Sequence, residues 1–491
     1  MKKKTIWFLV SGLIVLGLAL RLFCVFSWGD LMFDEMISLA IVLKPWEEIW
    51  KYLKIEMHPV AHFYYLKLWL KIWGNTEAAA RLSSVFISAL CFPALYFLSK
   101  KIFNSRKAGL GVIFLFSLSS CFIFYSALTR MYVFLLFFTV LSFYFFLKIS
   151  NKEKPGFKLH FLYIAVTLIA YHAHLTAACL IAIQLSYLLI TKVKKVKKFI
   201  WDWLLIIIFY LPWFFFFVKN NFFSLKPEAW YFWANEYQRM ILYPFKFIVI
   251  GSGQIPHKLY IFLLGGMLFF LFLNLYLNRK KIQWQKLILP FLIFFVPFFV
   301  LVVFKLGTIR YSIIPALGLF LILGYFLSRF NYKRLPGIIF LFLFLVLFLN
   351  SSVLILKHKT VAWEKGFDFI EEKEKEGDKI ILTHDNSLVR LNFYYQGNSP
   401  VFSYNSKQYE DKLVQVIENC VYPSDLKRDS KNLPEIIRGS ERLFLVVSTE
   451  KFGNDQLKIK DWFQKRGWKT EDDYQEGDLN IFLLVKDKDK I

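Results

Sequence analysis

Five cysteines in 491 residues are too few and too scattered for a disulfide framework. Cys24, Cys91, Cys121 and Cys179 lie in or beside apolar runs, Cys420 stands alone, and no CxxC pair offers a cysteine metal site. Acids are also scarce, 36 against 61 Lys and Arg, for a net charge of +25. A soluble globule's composition is missing too: 57% of the residues are hydrophobic, with 57 Phe and 15 Trp.

In its place stand apolar runs long enough to cross a hydrocarbon core of about 30 Å. They fall near residues 5–27, 77–99, 108–124, 131–149, 174–191, 199–218, 258–277, 287–304, 309–328 and 336–356. A further run, 159–171, reaches only about 20 Å as a helix. It counts as a span because Tyr171 to His174 supplies a break at which it can pair with its successor. The expected fold class is a polytopic α-helical membrane protein with about 11 transmembrane helices.

Lys and Arg prefer short cytoplasmic loops, so charge placement orients these spans. Residues 2–4, 100–107, 148–158, 192–198, 279–286 and 329–334 hold 23 basic residues and one acid, Glu153. Those segments are expected inside, with the N-terminus. Residues 28–76, 125–130, 171–174, 219–257, 305–310 and 357–491 are then outside. Topology thus accounts for the basic excess, and no nucleic-acid partner is needed. The first span has a basic start and no small-residue cleavage site, so it reads as a retained signal anchor of a multi-pass protein of the cytoplasmic membrane.

Two domains are expected, a membrane domain over 1–356 and an extracytoplasmic tail over 357–491. The tail has 23 basic and 25 acidic residues and no spanning run. Its pattern predicts helices near 361–375, 386–395, 406–419 and 454–466 and strands near 379–384, 443–448 and 480–485, a small α/β domain. No Gly-rich phosphate loop or nucleophile elbow occurs in it. The first outer loop, 28–76, is long enough to be functional. It predicts two amphipathic interfacial helices: 45–53, turning Trp46, Trp50 and Leu53 to lipid, and 59–73, opening at Pro59.

Chemistry is then sought at the outer ends of the spans, where Asp34, Glu35, Glu56, His58, Arg130, His172, His174, Lys305 and Arg310 collect. Each could simply be solvated or snorkelling. Asp34 and Glu35 are the sharpest, two adjacent carboxylates in a loop rich in Trp and Phe. Arg130 and Arg310 follow long apolar stretches beside Tyr132 and Tyr311, where a lipid-facing guanidinium costs about 3 kcal/mol. An anion would offset that cost, and the planar guanidinium fork suits a phosphate.

Several short motifs recur in order. Phe33-Asp34-Glu35-Met36-Ile37-Ser38 follows the first span. Glu56-Met57-His58-Pro59 leads into Tyr64-Tyr65-Leu66-Lys67-Leu68-Trp69, then Gly74-Asn75-Thr76-Glu77 and Arg81-Leu82-Ser83-Ser84. Tyr125-Ser126, Arg130-Met131-Tyr132, His174-Leu175-Thr176-Ala177, Leu211-Pro212-Trp213 and Arg310-Tyr311 with Pro315 continue the series, and Trp363 and Gly377-Asp378 extend it into the tail. In this order the chain resembles the GT-C superfamily of polytopic glycosyltransferases, in the branch of the protein O-mannosyltransferases and the lipid A aminoarabinose transferase.

The resemblance implies inverting transfer of a sugar from a polyprenyl-phosphate donor to a hydroxyl on a lipid, glycan or protein acceptor at the outer membrane face. It gives Asp34 the role of general base. Glu35 would orient the acceptor or tune Asp34, since adjacent like charges raise one pKa. Arg130 and Arg310, with His58 and Lys305, would hold the donor phosphate, and Glu56, Tyr132, His174 and Tyr311 would line the substrate. Membrane lipids are the remaining partners, and a divalent cation is left open, with no metal ligands assigned.

Two departures mark the chain. Ala127, Leu128 and Thr129 stand where many relatives read Gln-Glu-Ala before the arginine, so an acid is missing, and His-Pro-Pro is reduced to His58-Pro59-Val60. His172 is an additional histidine beside His174. Rival readings are a lipid-linked glycan flippase and a noncatalytic glycan-assembly scaffold. The flippase is disfavoured because the span centres read as Phe, Leu and Ile only and no internal repeat is visible.

Overall fold

The computed structural model describes residues 3–54, 56, 58–220, 245, 255–304, 309–383, 386–403, 433–448 and 458–487. Lys305 and the helix expected over 406–419 lie outside the described residues.

The first helices are α1 (Lys3–Ser27), α2 (Phe33–Leu43), α3 (Trp46–Leu53), α4 (Ala61–Trp73), α5 (Glu77–Phe103), α6 (Arg106–Leu118), α7 (Ser120–Ala127), α8 (Tyr132–Asn151), α9 (Phe157–Tyr171) and α10 (Cys179–Thr191). After them come α11 (Ile200–Asn220), α12 (His257–Leu277), α13 (Ile288–Val303), α14 (Ile313–Leu327), α15 (Leu335–Leu356) and α16 (Trp363–Lys373). The tail adds β1 (Lys379–Leu382), α17 (Asn386–Tyr394), β2 (Val401–Ser403), α18 (Leu433–Ile436), β3 (Arg442–Ser448), α19 (Lys458–Gln464), β4 (Trp468–Glu476) and β5 (Leu479–Lys486).

Two compact units result, one from Met1–Ser27 with Met57–His358, the other from Trp28–Glu56 with Lys359–Ile491. Residues 28–56 therefore fold with the tail.

The first unit is a multi-span membrane body. Among the described residues eight helices are long and apolar enough to cross, and nine if the bent pair α6 and α7 is one span. Two shorter apolar helices, Phe157–Tyr171 and Leu175–Thr191, stand beside them, and a count of 11 requires both to cross as well.

The run expected as one span over 108–124 is broken, with a 65° bend between α6 and α7. Ser119 is the break: its backbone is extended and its side chain accepts a bond from Phe122 N. A broken helix strands carbonyls that hydrocarbon cannot solvate. Arg21 of α1 donates to Phe116 O at 2.9 Å and Ser117 O at 3.4 Å, and Ser352 of α15 donates to Leu118 O at 2.7 Å. The Arg21 guanidinium also stacks 4.6 Å from the Phe116 ring. α6 and α14 approach so closely that a Cβ on Gly111 would lie 2.7 Å from Gly324 O, a contact only glycine permits.

In the second unit a five-stranded sheet runs β2-β1-β3-β5-β4, parallel through β2, β1 and β3 and antiparallel at β5 and β4. Its core joins Ile381, Leu443, Leu445, Val447, Phe463, Trp468, Phe482 and Leu484. β2 and β4 were not expected from the sequence. β4 is an edge strand whose Thr-Glu-Asp-Asp run alternates half-buried and exposed positions without the apolar residues that announce a strand. Residues 28–31 are bonded into this unit: Thr360 N and Oγ1 donate to Trp28 O, both at 2.8 Å, and Leu31 N donates to Tyr394 Oη at 3.1 Å.

α2 is a helix within a stretch expected as loop. On α3, Trp46 and Trp50 are exposed as expected, but Leu53 is buried along with Ile49 and Tyr52. Leu53 lies one turn from Ile49, so helical spacing puts it on the packed face, away from lipid.

Candidate functional site

The membrane unit gathers one group of expected residues. His58 precedes α4, Arg130 and Tyr132 open α8, His174 follows α9, and Arg310 and Tyr311 precede α14. α4 is placed by bonds from its aromatic side chains, Tyr65 Oη to Ser83 O and Trp69 Nε1 to Ala79 O, each 2.8 Å. Ala61 N reaches His172 O at 2.8 Å, which ties the start of α4 to the turn bearing His174.

The rings then meet. His58 and His174 pack edge to face with centroids 5.3 Å apart, and Tyr311 lies 5.3 Å and Tyr132 6.2 Å from His174. Tyr125 packs on Tyr132 at 5.0 Å. Arg130, Tyr132 and His174 are buried, whereas His58, Arg310 and Tyr311 are half-buried.

The histidines carry no positive charge at neutral pH. Burial, then Arg130, His174, Arg310 and His62, pushes His58 well below the ordinary histidine value. Burial followed by Arg310 and Arg130 lowers His174 to about 3. His174 Nδ1 accepts a bond from Thr176 N at 3.2 Å, which leaves the ring proton on Nε2. The cluster therefore offers guanidinium charge from Arg130 and Arg310 and neutral imidazoles as hydrogen-bonding groups. His58 can donate to a phosphate but cannot neutralise it.

His62 was not anticipated. It is 1% exposed, neither ring nitrogen has a hydrogen-bond partner among the described residues, and burial with the Arg130 charge lowers its pKa to about 3. The Tyr132 hydroxyl is likewise buried with no hydrogen-bond partner among the described residues. The sequence did hold a signal for His62, which shares one helical stripe with Leu66 and Leu70 on the buried face of α4. His172 stands apart from His174, half-buried with its ring 5.5 Å from Tyr210. Among the described residues no group of three or more His, Cys, Asp and Glu is placed to hold a metal ion.

The carboxylates Asp34, Glu35 and Glu56 belong to the other unit, and there the adjacent pair divides. Both stand in the first turn of α2, where acids suit the helix dipole. Glu35 is fully buried, and its Oε2 accepts from Met32 N at 2.9 Å, the reach-back of a capping carboxylate. Asp34 is half-buried, and its backbone carbonyl accepts from Ser38 Oγ at 3.1 Å. Asp30, which the sequence reading passed over, is buried and accepts from Glu364 N at 2.9 Å in the first turn of α16. Glu56 is half-buried beyond the end of α3.

As a fold, the chain is similar to ArnT from Cupriavidus metallidurans bound to undecaprenyl phosphate, with 11% identity, 98% of each chain covered and a TM-score of 0.58. The chain has the GT-C fold. This GT-C chain is also similar to the oligosaccharyltransferase of Archaeoglobus fulgidus solved with Zn and sulfate. There the identity is 10%, the coverage 98% of this chain and 73% of that one, and the TM-score 0.53. Residues 57–216 match the family model for dolichyl-phosphate-mannose-protein mannosyltransferase, a stretch that runs from the start of α4 into α11. No curated protein matches the sequence.

Proposed function

We propose that this GT-C protein is an inverting glycosyltransferase that moves a sugar from a polyprenyl-phosphate donor to a hydroxyl-bearing lipid, glycan or protein at the outer face of the cytoplasmic membrane. The observation that carries the reading is the Arg130 cluster: buried guanidinium charge beside neutral imidazoles and tyrosines in a GT-C membrane body.

The chemistry follows from that charge. The acceptor oxygen attacks the anomeric carbon, the bond from that carbon to the phosphate oxygen breaks, and the electron pair leaves with the phosphate. Fixed cations stabilise a leaving phosphate without any proton transfer to it, and Arg130 and Arg310 supply them. His58 and His174 donate neutral hydrogen bonds. The hydroxyl proton goes to Asp34, the half-buried acid of the adjacent pair. Direct displacement inverts the anomeric configuration. The half-buried Tyr311 ring suits the face of a sugar.

Membranes carrying Asp34→Asn or Arg310→Ala test this. Transfer from a polyprenyl-phosphate sugar should fall about a hundredfold or more in each. Unchanged transfer in Asp34→Asn overturns the base, and unchanged transfer in Arg310→Ala overturns its place at the phosphate.

A further inference from the structure

Arg390 is the buried cation of α17. It is 4% exposed among Leu388, Val389 and Leu391, where an ordinary helix would carry another apolar residue. Its guanidinium lies 4.4 Å from the Trp363 ring and 6.0 Å from the Phe33 ring. Trp363 is the first residue of α16 and Phe33 the first of α2, one position before Asp34. One turn further along α17, Tyr394 takes the bond from Leu31 N. Asp30 closes the circuit by accepting from Glu364 N of α16 while its carbonyl accepts from Thr360 Oγ1 at 2.7 Å.

Two tail helices, α16 and α17, together with Thr360 thus hold Asp30, Leu31 and Phe33 ahead of Asp34, and the approach has been shaped for it. Gly29 has φ +79°, a left-handed backbone that would strain an L side chain. A desolvated cation over an indole face is attracted more strongly than an exposed one.

We propose that Arg390 is a positioning residue for Asp34: the tail's cation, stacked on Trp363 and Phe33, sets the first turn of α2 and with it the Asp34 carboxylate. For catalysis the inference rests on the glycosyltransferase reading. Its structural half does not. Displacing a reacting group by about 1 Å costs on the order of a hundredfold in rate, so a device of this kind acts on turnover and leaves donor binding alone.

The test compares Arg390→Met with Arg390→Lys in the full-length protein, using hydrogen exchange by mass spectrometry and steady-state transfer. In Arg390→Met, amides of residues 33–37 should exchange at least tenfold faster while those of β3 and β5 keep the parent rate. kcat should fall tenfold or more with the donor KM within about twofold, and Arg390→Lys should recover most of both losses. Parent-like exchange over 33–37 in Arg390→Met overturns the proposal. Faster exchange with parent kcat overturns its catalytic half. A global rise in exchange that Arg390→Lys does not repair makes Arg390 a general core residue and also overturns it. If the parent transfers no sugar, the glycosyltransferase reading falls, and the exchange result alone decides whether Arg390 sets the turn.

Discussion

Among the described residues of the membrane unit, two of the buried groups of polar side chains differ in whether their hydrogen bonds close. In one, Tyr163 donates to Gln184, Gln184 Nε2 to Ser142 at 3.1 Å, Ser142 pairs with Thr167 at 2.8 Å, and Trp203 Nε1 donates to Tyr163 Oη at 3.0 Å. Every one of these side chains has a partner within the group, which ties α8, α9, α10 and α11 together. In the other, around Arg130, the His62 nitrogens and the Tyr132 hydroxyl have no hydrogen-bond partner among the described residues. A buried polar atom left unmade costs about 1 to 3 kcal/mol. Buried polarity alone therefore does not mark a site in this protein. Unclosed polarity beside cationic charge is what sets the proposed site apart from the closed group.

The largest expected effect sets the two groups furthest apart. Arg130→Ala should lower transfer by about 10²- to 10³-fold, the usual loss when one preorganised charge stabiliser is removed. Tyr163→Phe, in the closed group, should leave transfer by the folded protein unchanged. Equal losses in both would erase the distinction.

Acidification comes next, because only the open group resists protonation. His62 and His174 stay neutral down to about 3, and His58 well below its usual value. The unfolded chain takes up those protons near pH 6.5, so it binds more of them than the folded state between 6.5 and 3. The stability these histidines confer is complete above pH 6.5 and drains away as pH falls. The thermal midpoint in detergent should drop between pH 7 and 5, and less steeply in His62→Leu. A flat midpoint would contradict their burial as neutral rings.

How far the sequence reaches is visible in the same contrast. Apolar runs announced the spans, and a position at the outer ends of those spans singled out Arg130, His174 and Arg310. The bend at Ser119 was hidden because its flanks are apolar on both sides, although Ser117, Ser119 and Ser120 stand at it. β4 was missed because an edge strand needs few apolar residues, whereas α2 does carry a start signal in the Asp34 and Glu35 of its first turn. Arg390 and Asp30 act across more than 300 residues of chain, a separation no local pattern encodes. The adjacent acids were legible as a pair with two roles, but the capping contact of Glu35 was not, because only the fold shows its carboxylate turned back on Met32 N.

Third in size is Gln184→Leu, which opens the closed group. It should cost about 1 to 2 kcal/mol by stranding the Tyr163 hydroxyl and a Ser142 acceptor, with transfer per folded molecule unaltered. Chemical denaturation in mixed micelles measures it. A loss under a few tenths of a kcal/mol would mean the network is not holding its helices.

The finest distinction concerns His62→Leu and Tyr132→Phe. Where a buried polar atom serves only the fold, removing it with its partners in place is destabilising. Where it has no partner, replacing it with an apolar group of similar shape is neutral or stabilising. The thermal midpoint without ligand should therefore stay level or rise in both variants. If these atoms wait for a donor or acceptor hydroxyl, transfer should nonetheless fall about tenfold, the size of one lost neutral hydrogen bond at about 1.4 kcal/mol. Stability and activity would move in opposite directions, which no packing defect produces. A lower midpoint with unchanged transfer would place His62 and Tyr132 with Tyr163 and Gln184, as part of the scaffold.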